Sequence, residues 1–335
     1  MEIDFVITWL DGNDPAWKTE KDRFRPRDTY GDLPERYRDW KLLRYWFRGV
    51  ERYAPWVRKI HLVTWGHVPD WLVQEHKKLS VVRHDKIMPA EILPVFNSAL
   101  IELYLHRIPQ LAEQFVFFND DMFLLRPVQP TRFFKKGLPC DMAAFGPIVA
   151  NPNNPLMSHI FLNNMLVLAK YFDKRECVRR HPGQYFHLGY PPLYFFYNLQ
   201  ELMIQKFTGM YTMHGPSPLC KRTFAEVWDR EEAYLRSLSG NRFRCDTDVN
   251  QYLFREWQKL SGRFYPTNVQ KGFRYFEITD DNRKLLHTIA SGACSMVCIN
   301  DTGRMTDADR EMQKLIEAFE RRLPDKCSYE KARRV

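Results

Sequence analysis

The sequence predicts an α/β fold with a mostly parallel sheet, and three observations carry that prediction. Strand-like and helix-like runs alternate through the first 120 residues in the order strand, helix, strand, strand, helix, strand. The chain opens on a buried-type strand that runs straight into a polar loop, the expected start of a nucleotide-binding α/β unit. Acidic clusters follow two of the strands directly, in "TWLDGND" and "FFNDD". In such sheets ligands bind outside the carboxyl ends of the strands.

Taken in order, "IDFVITWL" (3–10) is β-rich and is ended by the turn formers "DGNDP". Residues 39–57 place Leu42, Leu43, Trp46, Phe47 and Val50 at three- and four-residue steps, as an amphipathic helix does. "KIHLVTW" (59–65) and "LSVVRHDKI" (79–87) are strands. "NSALIELYLHRI" (97–108) is a helix with Asn97 or Ser98 as its cap and Pro109 as its stop. "QFVFFND" (114–120) is the next strand. Residues 150–212 are less regular, aromatic and broken by prolines, and form a helical insertion. "FAEVWDREEAYLRSL" and "TDVNQYLFREWQKLSG" are helices, "MVCIND" (296–301) is a late strand, and residues 307–323 form a terminal amphipathic helix. Three segments result: 1–149, an α/β half with both acidic strand ends; 150–212, an insertion; and 213–335, which carries the late strand and the terminal helix.

The 335 residues include 44% hydrophobic and 15% aromatic side chains, a globular composition with no repeat or low-complexity tract. A net charge of +9 points to an anionic partner: nucleic acid, an acidic membrane surface or a phosphorylated substrate. The cations form no single stripe and no nucleic-acid motif appears, which argues against nucleic acid. Seven cysteines, an odd number without a double CxxC pattern, read as reduced buried thiols. No signal peptide and no run of 18 apolar residues is visible, so a cytoplasmic protein is expected, or one peripheral on the inner face of the cell membrane.

Asp120 and Asp121 stand between two apolar segments. As a bare dipeptide they would read as a turn or a helix cap. At a strand end they match the way nucleotide-diphosphate-sugar enzymes hold magnesium or manganese, through one or two carboxylates plus substrate phosphates. Asp11 and Asp14 lie on the loop after the first strand, where an ordinary Asp-Gly turn is the plain alternative. Trp9 and Trp17 flank that loop, either as a base-stacking pocket or as core. His214 sits in "HGPSPLCKR" with Lys221 and Arg222. Arg242 and Arg244 precede a helix in "RFRCDTD", a reasonable phosphate site.

These segments resemble the Stealth family of sugar-phosphate transferases, which includes bacterial capsular and exopolysaccharide enzymes and the eukaryotic N-acetylglucosamine-1-phosphotransferase. "IDFVITWLDGNDPAW" resembles the first signature region. "LRYWFRGVERYAPWVRKIHLVTWGHVPDWL" with "LPVFNSALIELYLHRIPQLAEQFVFFNDDMFLLRPVQPTRFF" resembles the long second one. "HGPSPLCKRTFAEVW" with "NRFRCDTDVNQYLFREWQKLSG" resembles the third, and "MVCINDT" the fourth. Trp46 and Phe47 follow Tyr45 where the second region usually reads Ser-Leu, and the aromatic or further histidine usual near Ser217 is missing.

The resemblance implies a nucleotide-sugar-transferase-like fold of the GT-A or Rossmann-like kind. It implies transfer of a sugar-1-phosphate from a UDP-sugar, with UDP-N-acetylglucosamine one candidate, to a polysaccharide or lipid-linked glycan hydroxyl, with release of UMP. Asp120 and Asp121 would hold Mg2+ or Mn2+, with Asn300 and Asp301 as further ligands. Arg244 and Lys221 would clamp phosphoryl oxygens. His214 would be a general base or a phosphate contact, and Trp9, Asp11, Gly12, Asp14, Arg44 and Asn97 would lie on the nucleotide side. The alternative is a metal-dependent glycosyltransferase of the same fold type that releases UDP.

Overall fold

β-Branched and aromatic residues make the central strand, β1 (Ile3–Thr8), which is buried along nearly its whole length. The computed structural model describes residues 2–25, 32–152 and 154–332. Asp14 closes the loop after β1 by capping α1 (Pro15–Phe24): its Oδ1 accepts the Trp17 N–H at 2.8 Å, and Pro15 takes the first helical position. α2 (Leu43–Tyr53) is shorter than the 39–57 expected. Lys41 takes a φ of 57°, outside the right-handed helical region, so the helix starts after it. Pro55 bars Ala54 from helical geometry at the other end.

β2 (Ile60–Thr64) and β3 (Leu79–Arg83) follow. The helix expected over 97–108 splits into α3 (Ser98–Glu102) and a 3₁₀ turn at 105–107. The Trp228 indole N–H takes the Leu103 carbonyl at 2.9 Å, the acceptor that the Arg107 N–H needs to continue an α-helix. Arg107 bonds Tyr104 O instead. Tertiary packing here overrides a sound local pattern.

β4 (Gln114–Phe118) passes through Asn119, Asp120 and Asp121 into β5 (Met122–Leu124), which belongs to another sheet. β6 (Phe134–Lys135) and β7 (Leu138–Asp141) pair as a small hairpin. The irregular region folds as α4 (Pro155–Leu168), α5 (Lys174–Arg180), α6 (Pro182–Tyr185) and α7 (Pro192–Glu201). β8 (Ser217–Cys220) leads into α8 (Lys221–Ser237), kinked at Glu231, and then α9 (Tyr252–Leu260). β9 (Tyr265–Pro266), β10 (Phe273–Ile278), α10 (Arg283–Ser291), β11 (Met296–Asp301) and α11 (Ala308–Arg322) complete the order. β10 and α10 are additions to the predicted elements. Half of β10's residues are exposed, so no apolar run marks it.

The main sheet has the order β3-β2-β1-β4-β8, in which the first four strands run parallel and β8 antiparallel. A second sheet, β10-β11-β5, and a third, β6-β7-β9, each join one parallel and one antiparallel pair. The fold is α/β with mixed sheets. From β1 the chain steps to β2 and β3 on one side, then returns to β4 on the other. The order reverses between β1 and β4, and a crevice opens at their carboxyl ends. The loop with Asp11 and Asp14 leaves β1 there, and Asp120 and Asp121 leave β4 there.

Alternation along β1 sends Phe5 and Ile7 to one face, against Trp46 and Phe47 of α2 and Phe319 of α11, and Val6 to the other, against α8 and α9. Trp46 and Phe47 are core side chains, each contributing roughly 1.5–3 kcal/mol by burial. Arg48 beside them is buried too, forked onto Glu330 at 2.6 and 3.0 Å, which ties α2 to the C-terminal segment. No helix among the described residues is long and apolar enough to cross a membrane.

Candidate active site

Asp121 and His214 meet at the end of β4. Asp121 Oδ2 is 3.2 Å from His214 Nε2 and 3.2 Å from Cys298 Sγ, while His214 Nδ1 is 2.8 Å from Tyr252 Oη. Asp121, His214 and Cys298 bring ligand-type atoms within 4.8 Å of one another. Burial, and then the Asp121 charge, push the Cys298 thiol well above the ordinary cysteine range. Cys298 is therefore a thiol that donates to the carboxylate, not a thiolate. Burial on its own would lower the His214 pKa, but the Asp121 carboxylate, aided by Glu102, outweighs it and raises the imidazole above its ordinary value. In the protonated form Nε2–H donates to Asp121 and Nδ1–H to the Tyr252 oxygen.

Helix α9 pins this histidine. Tyr252 on its first turn holds Nδ1, and Arg255, three residues on, donates to Met213 O at 2.9 Å. Arg255 is buried and forked onto Asp141 at the end of β7, at 2.6 and 3.0 Å. Breaking one side of such a buried pair costs about 3–5 kcal/mol, so the loop bearing His214 is firmly seated.

Asp120 is exposed to solvent, although protein atoms crowd around its carboxyl. Loss of water, then the charges of Asp121 and Asp39, push its carboxyl up to about 7. Asp39 is raised in turn, by burial first and by Asp11 as well. Four carboxylates, Asp11, Asp39, Asp120 and Asp121, thus converge where the strand order reverses. Asp121 Oδ1 is buried without a hydrogen-bond partner among the described residues. An orphaned buried carboxylate oxygen amid mutually repelling carboxylates suits a hard divalent cation with oxygen ligands. The residues present fit magnesium or manganese.

Arg244 serves the same region. Its Nη2 is 2.5 Å from Ser98 Oγ, and its charge acts on His214 and on Glu102. Glu102 of α3 is buried, its carboxyl pushed up to about 7 by burial, and it accepts the Gln251 N–H at 3.2 Å. Tyr252, Arg255, Glu102, Asp39 and Cys298 were not singled out from sequence. A Tyr and an Arg three apart on a helix, in "YLFREW", was the one available signal.

Lys221 does not join this group. β8 runs antiparallel to β4, pairing Ser217 with Phe117 and Cys220 with Gln114. Lys221 is carried to the amino end of β4, where its N–H bonds Glu113 O at 2.9 Å. At about 3.4 Å per residue, β8 alone puts it roughly 10 Å from the His214 end, about a Debye length away. Lys221→Ala is expected to leave turnover within about threefold of wild type, whereas Arg244→Ala loses about 10²-fold. Equal losses in steady-state rates would return Lys221 to the site.

Asp301 is engaged with protein: its Oδ2 accepts from Arg38 at 2.7 Å and from Trp40 at 3.1 Å, the residues on either side of Asp39, and its Oδ1 from the Gly303 N–H. Asn300 is nearer, because Ile299 N–H bonds Asp121 O at 2.8 Å, and its side chain meets Tyr275. On the β1 side, Asp11 N–H donates to His67 Nε2 at 2.8 Å, and Trp9 lies edge-on to the His67 ring, buried. A Cβ on Gly12 would fall 1.8 Å from Tyr37 O, so only glycine lets the loop pass. Asp14 caps α1. Trp17 packs on Tyr37 and Phe96 as core. Asn97 is fully buried, donating to both Asp248 oxygens at 3.0–3.1 Å while its Oδ1 caps α3, and Arg44 lies over the Trp71 ring. Both are engaged with protein. Beyond His67, the ends of β2 and β3 wall an open cleft of about 470 Å³ lined by Trp65, Arg83, His84, Asp85 and Pro94.

An acidic crevice with a pinned histidine and a nearby arginine is the equipment of a group-transfer enzyme. Comparison with known proteins defines which kind. Residues 1–29 match Stealth protein conserved region 1 and residues 36–140 match Stealth protein conserved region 2. The chain is 37% identical to the capsular polysaccharide phosphotransferase WcwK of Streptococcus pneumoniae, covering 98% of each. It is 37% identical to the receptor polysaccharide phosphotransferase WefC of Streptococcus oralis, covering 98% of this chain and 99% of that one. It is 35% identical to the exopolysaccharide phosphotransferase cps2G of Lactiplantibacillus plantarum, covering 98% and 96%. Mouse xyloside xylosyltransferase 1 superposes at TM-score 0.33 with 9% identity, over 89% of this chain and 97% of that one, too loosely to carry an argument. The chain belongs to the Stealth family, and it is a transferase.

Proposed function

We propose that this enzyme transfers a hexose- or N-acetylhexosamine-1-phosphate from a UDP-sugar to a glycan hydroxyl in capsular or cell-surface polysaccharide synthesis, releasing UMP. The observation that carries this reading is the Asp121–His214 pair, at 3.2 Å, in the crevice where the strand order reverses. The acceptor oxygen attacks the β-phosphorus, and the bond from that phosphorus to the bridging oxygen breaks. UMP leaves with the bridging oxygen, and the acceptor proton passes to the enzyme. Positioning and charge stabilisation carry most of such a reaction.

His214 is the residue suited to that proton. With Nδ1–H donated to the Tyr252 oxygen, Nε2 keeps a lone pair once Asp121 engages elsewhere. Arg244 would meet the phosphoryl oxygens. Asp120 and Asp121 would hold Mg2+ or Mn2+, which when bound neutralises charge on the diphosphate, with Asn300 close by. Asp11, Gly12 and Trp9 would border the nucleotide, and the cleft beside Trp65 and Asp85 has room for its nucleoside. Residues 150–212 would meet the acceptor, a polysaccharide or a lipid-linked glycan at the inner face of the cell membrane.

Nucleotide analysis tests the reaction. Incubating purified protein with a UDP-sugar panel, UDP-N-acetylglucosamine included, and Mg2+ or Mn2+ should yield UMP. UDP as the only nucleotide product would replace this reading with glycosyl transfer.

A further inference from the structure

Helix α7 turns an apolar face to solvent. Phe196 is 71% exposed, Leu193 and Leu199 are exposed too, and Leu188 ahead of the helix and Met203 just past its end are 94% and 81% exposed. The opposite face accounts for how the helix is anchored. Tyr194 and Asn198 are buried, and Asn198 bonds Phe145 N, Ala143 O and Tyr185 O. Packing therefore explains one side and leaves the other without a purpose. Isolated exposed apolar residues are common, but a run of large ones on one helix face marks an interaction surface.

The patch extends toward the active site. Segments 146–148 and 208–209 pair backbone to backbone, so Val149 and Ile204, both exposed, leave that pair at the same end. Val149 O accepts the Ser158 hydroxyl of α4, whose Leu162 and Leu166 are also exposed. Next to Leu162 on α4, Phe161 stacks on Tyr252, the residue that holds His214.

Charge selects the occupant. Outside the buried Lys174–Glu201 pair, residues 173–206 carry four cations, Arg175, Arg179, Arg180 and Lys206, against Asp173 and Glu176, a net +2. Glu176 is paired at the surface with Arg179 and Arg180, Asp173 caps α5, and Glu201 is held by Lys174. Lys174 Nζ also bonds Lys206 O at 2.7 Å, fixing the basic start of α5 against the end of α7. The helix shows no carboxylate to solvent. A short helix with exposed Leu and Phe, a basic margin and its one carboxylate, Glu201, buried is built to settle among anionic headgroups.

We propose that α7 docks the enzyme on an anionic lipid bilayer. The purpose of this docking rests on the reading of a membrane-borne acceptor, but the binding is measured without donor or acceptor. Sedimentation with phosphatidylglycerol-containing vesicles should carry the wild-type chain down, more so than pure phosphatidylcholine and less so at high salt. Phe196→Asp with Met203→Asp should weaken that partitioning about tenfold or more with an unchanged thermal melt, since each loses the burial of a large side chain. Equal binding by the variant, or no binding to any vesicle, would overturn the proposal. So would a lipid-independent dimer dispersed by Phe196→Asp, which would make this face a self-interface. UMP release without vesicle binding would sink the docking surface alone, and vesicle binding without UMP release the reaction alone.

Discussion

Asp121→Asn is expected to lower turnover by about 10²–10³-fold or more while the protein stays folded, as loss of a charge-stabilising group at a reacting phosphoryl centre does. Asparagine keeps the shape of the side chain and removes its charge. It thereby withdraws one of the two carboxylates suited to the cation, and the charge that raises the His214 pKa. The change also tests the cluster as a unit, because Oδ2 is shared by His214 and Cys298 while Oδ1 is left without a partner. Asp120→Asn should also lose most activity, and in addition relieve repulsion with Asp121 and Asp39. EDTA should abolish turnover in the wild type, with Mg2+ or Mn2+ restoring it. Full steady-state activity in metal-free buffer would remove the cation from this scheme.

The second large effect belongs to His214→Ala, expected to lower turnover about 10²–10⁴-fold, the range for general acid–base groups. Calorimetry should find UDP-sugar binding little changed, since His214 is held by Tyr252 and Asp121 rather than by the cleft beside Trp65. Loss of donor binding along with turnover would make it a contact to the donor phosphate. The variant is not expected to unfold, because Arg255 seats the loop through Met213 O independently of the imidazole.

What the sequence made legible, and what it hid, follows from range. β11 lies at 296–301 as the sequence predicts, and the strand ahead of Asp120 is present because an apolar run bounded by turn formers is a local signal. The failures are long-range. Helix 97–108 breaks because Trp228, 125 residues away in sequence, captures a carbonyl. Asp301 sits in a strand-end motif like that of Asp120 and Asp121, yet Arg38 and Trp40 claim it. Lys221 is seven residues from His214, but an antiparallel strand between them carries it to the far end of β4. Asp39 and Glu102 carry no motif; only the fold brings them beside Asp120 and His214.

The most direct measurement is a Mn2+ titration followed by electron paramagnetic resonance, with UDP present, on the wild-type chain and on Asp121→Asn. Free Mn2+ signal should fall in a saturable way with wild-type protein, one ion per chain at saturation, and the variant should bind at least about tenfold more weakly, the loss of one oxygen ligand at a hard-cation site. Equal Mn2+ binding by the two proteins, or none by the wild type, would contradict the assignment of this carboxylate cluster as the cation site of the transferase.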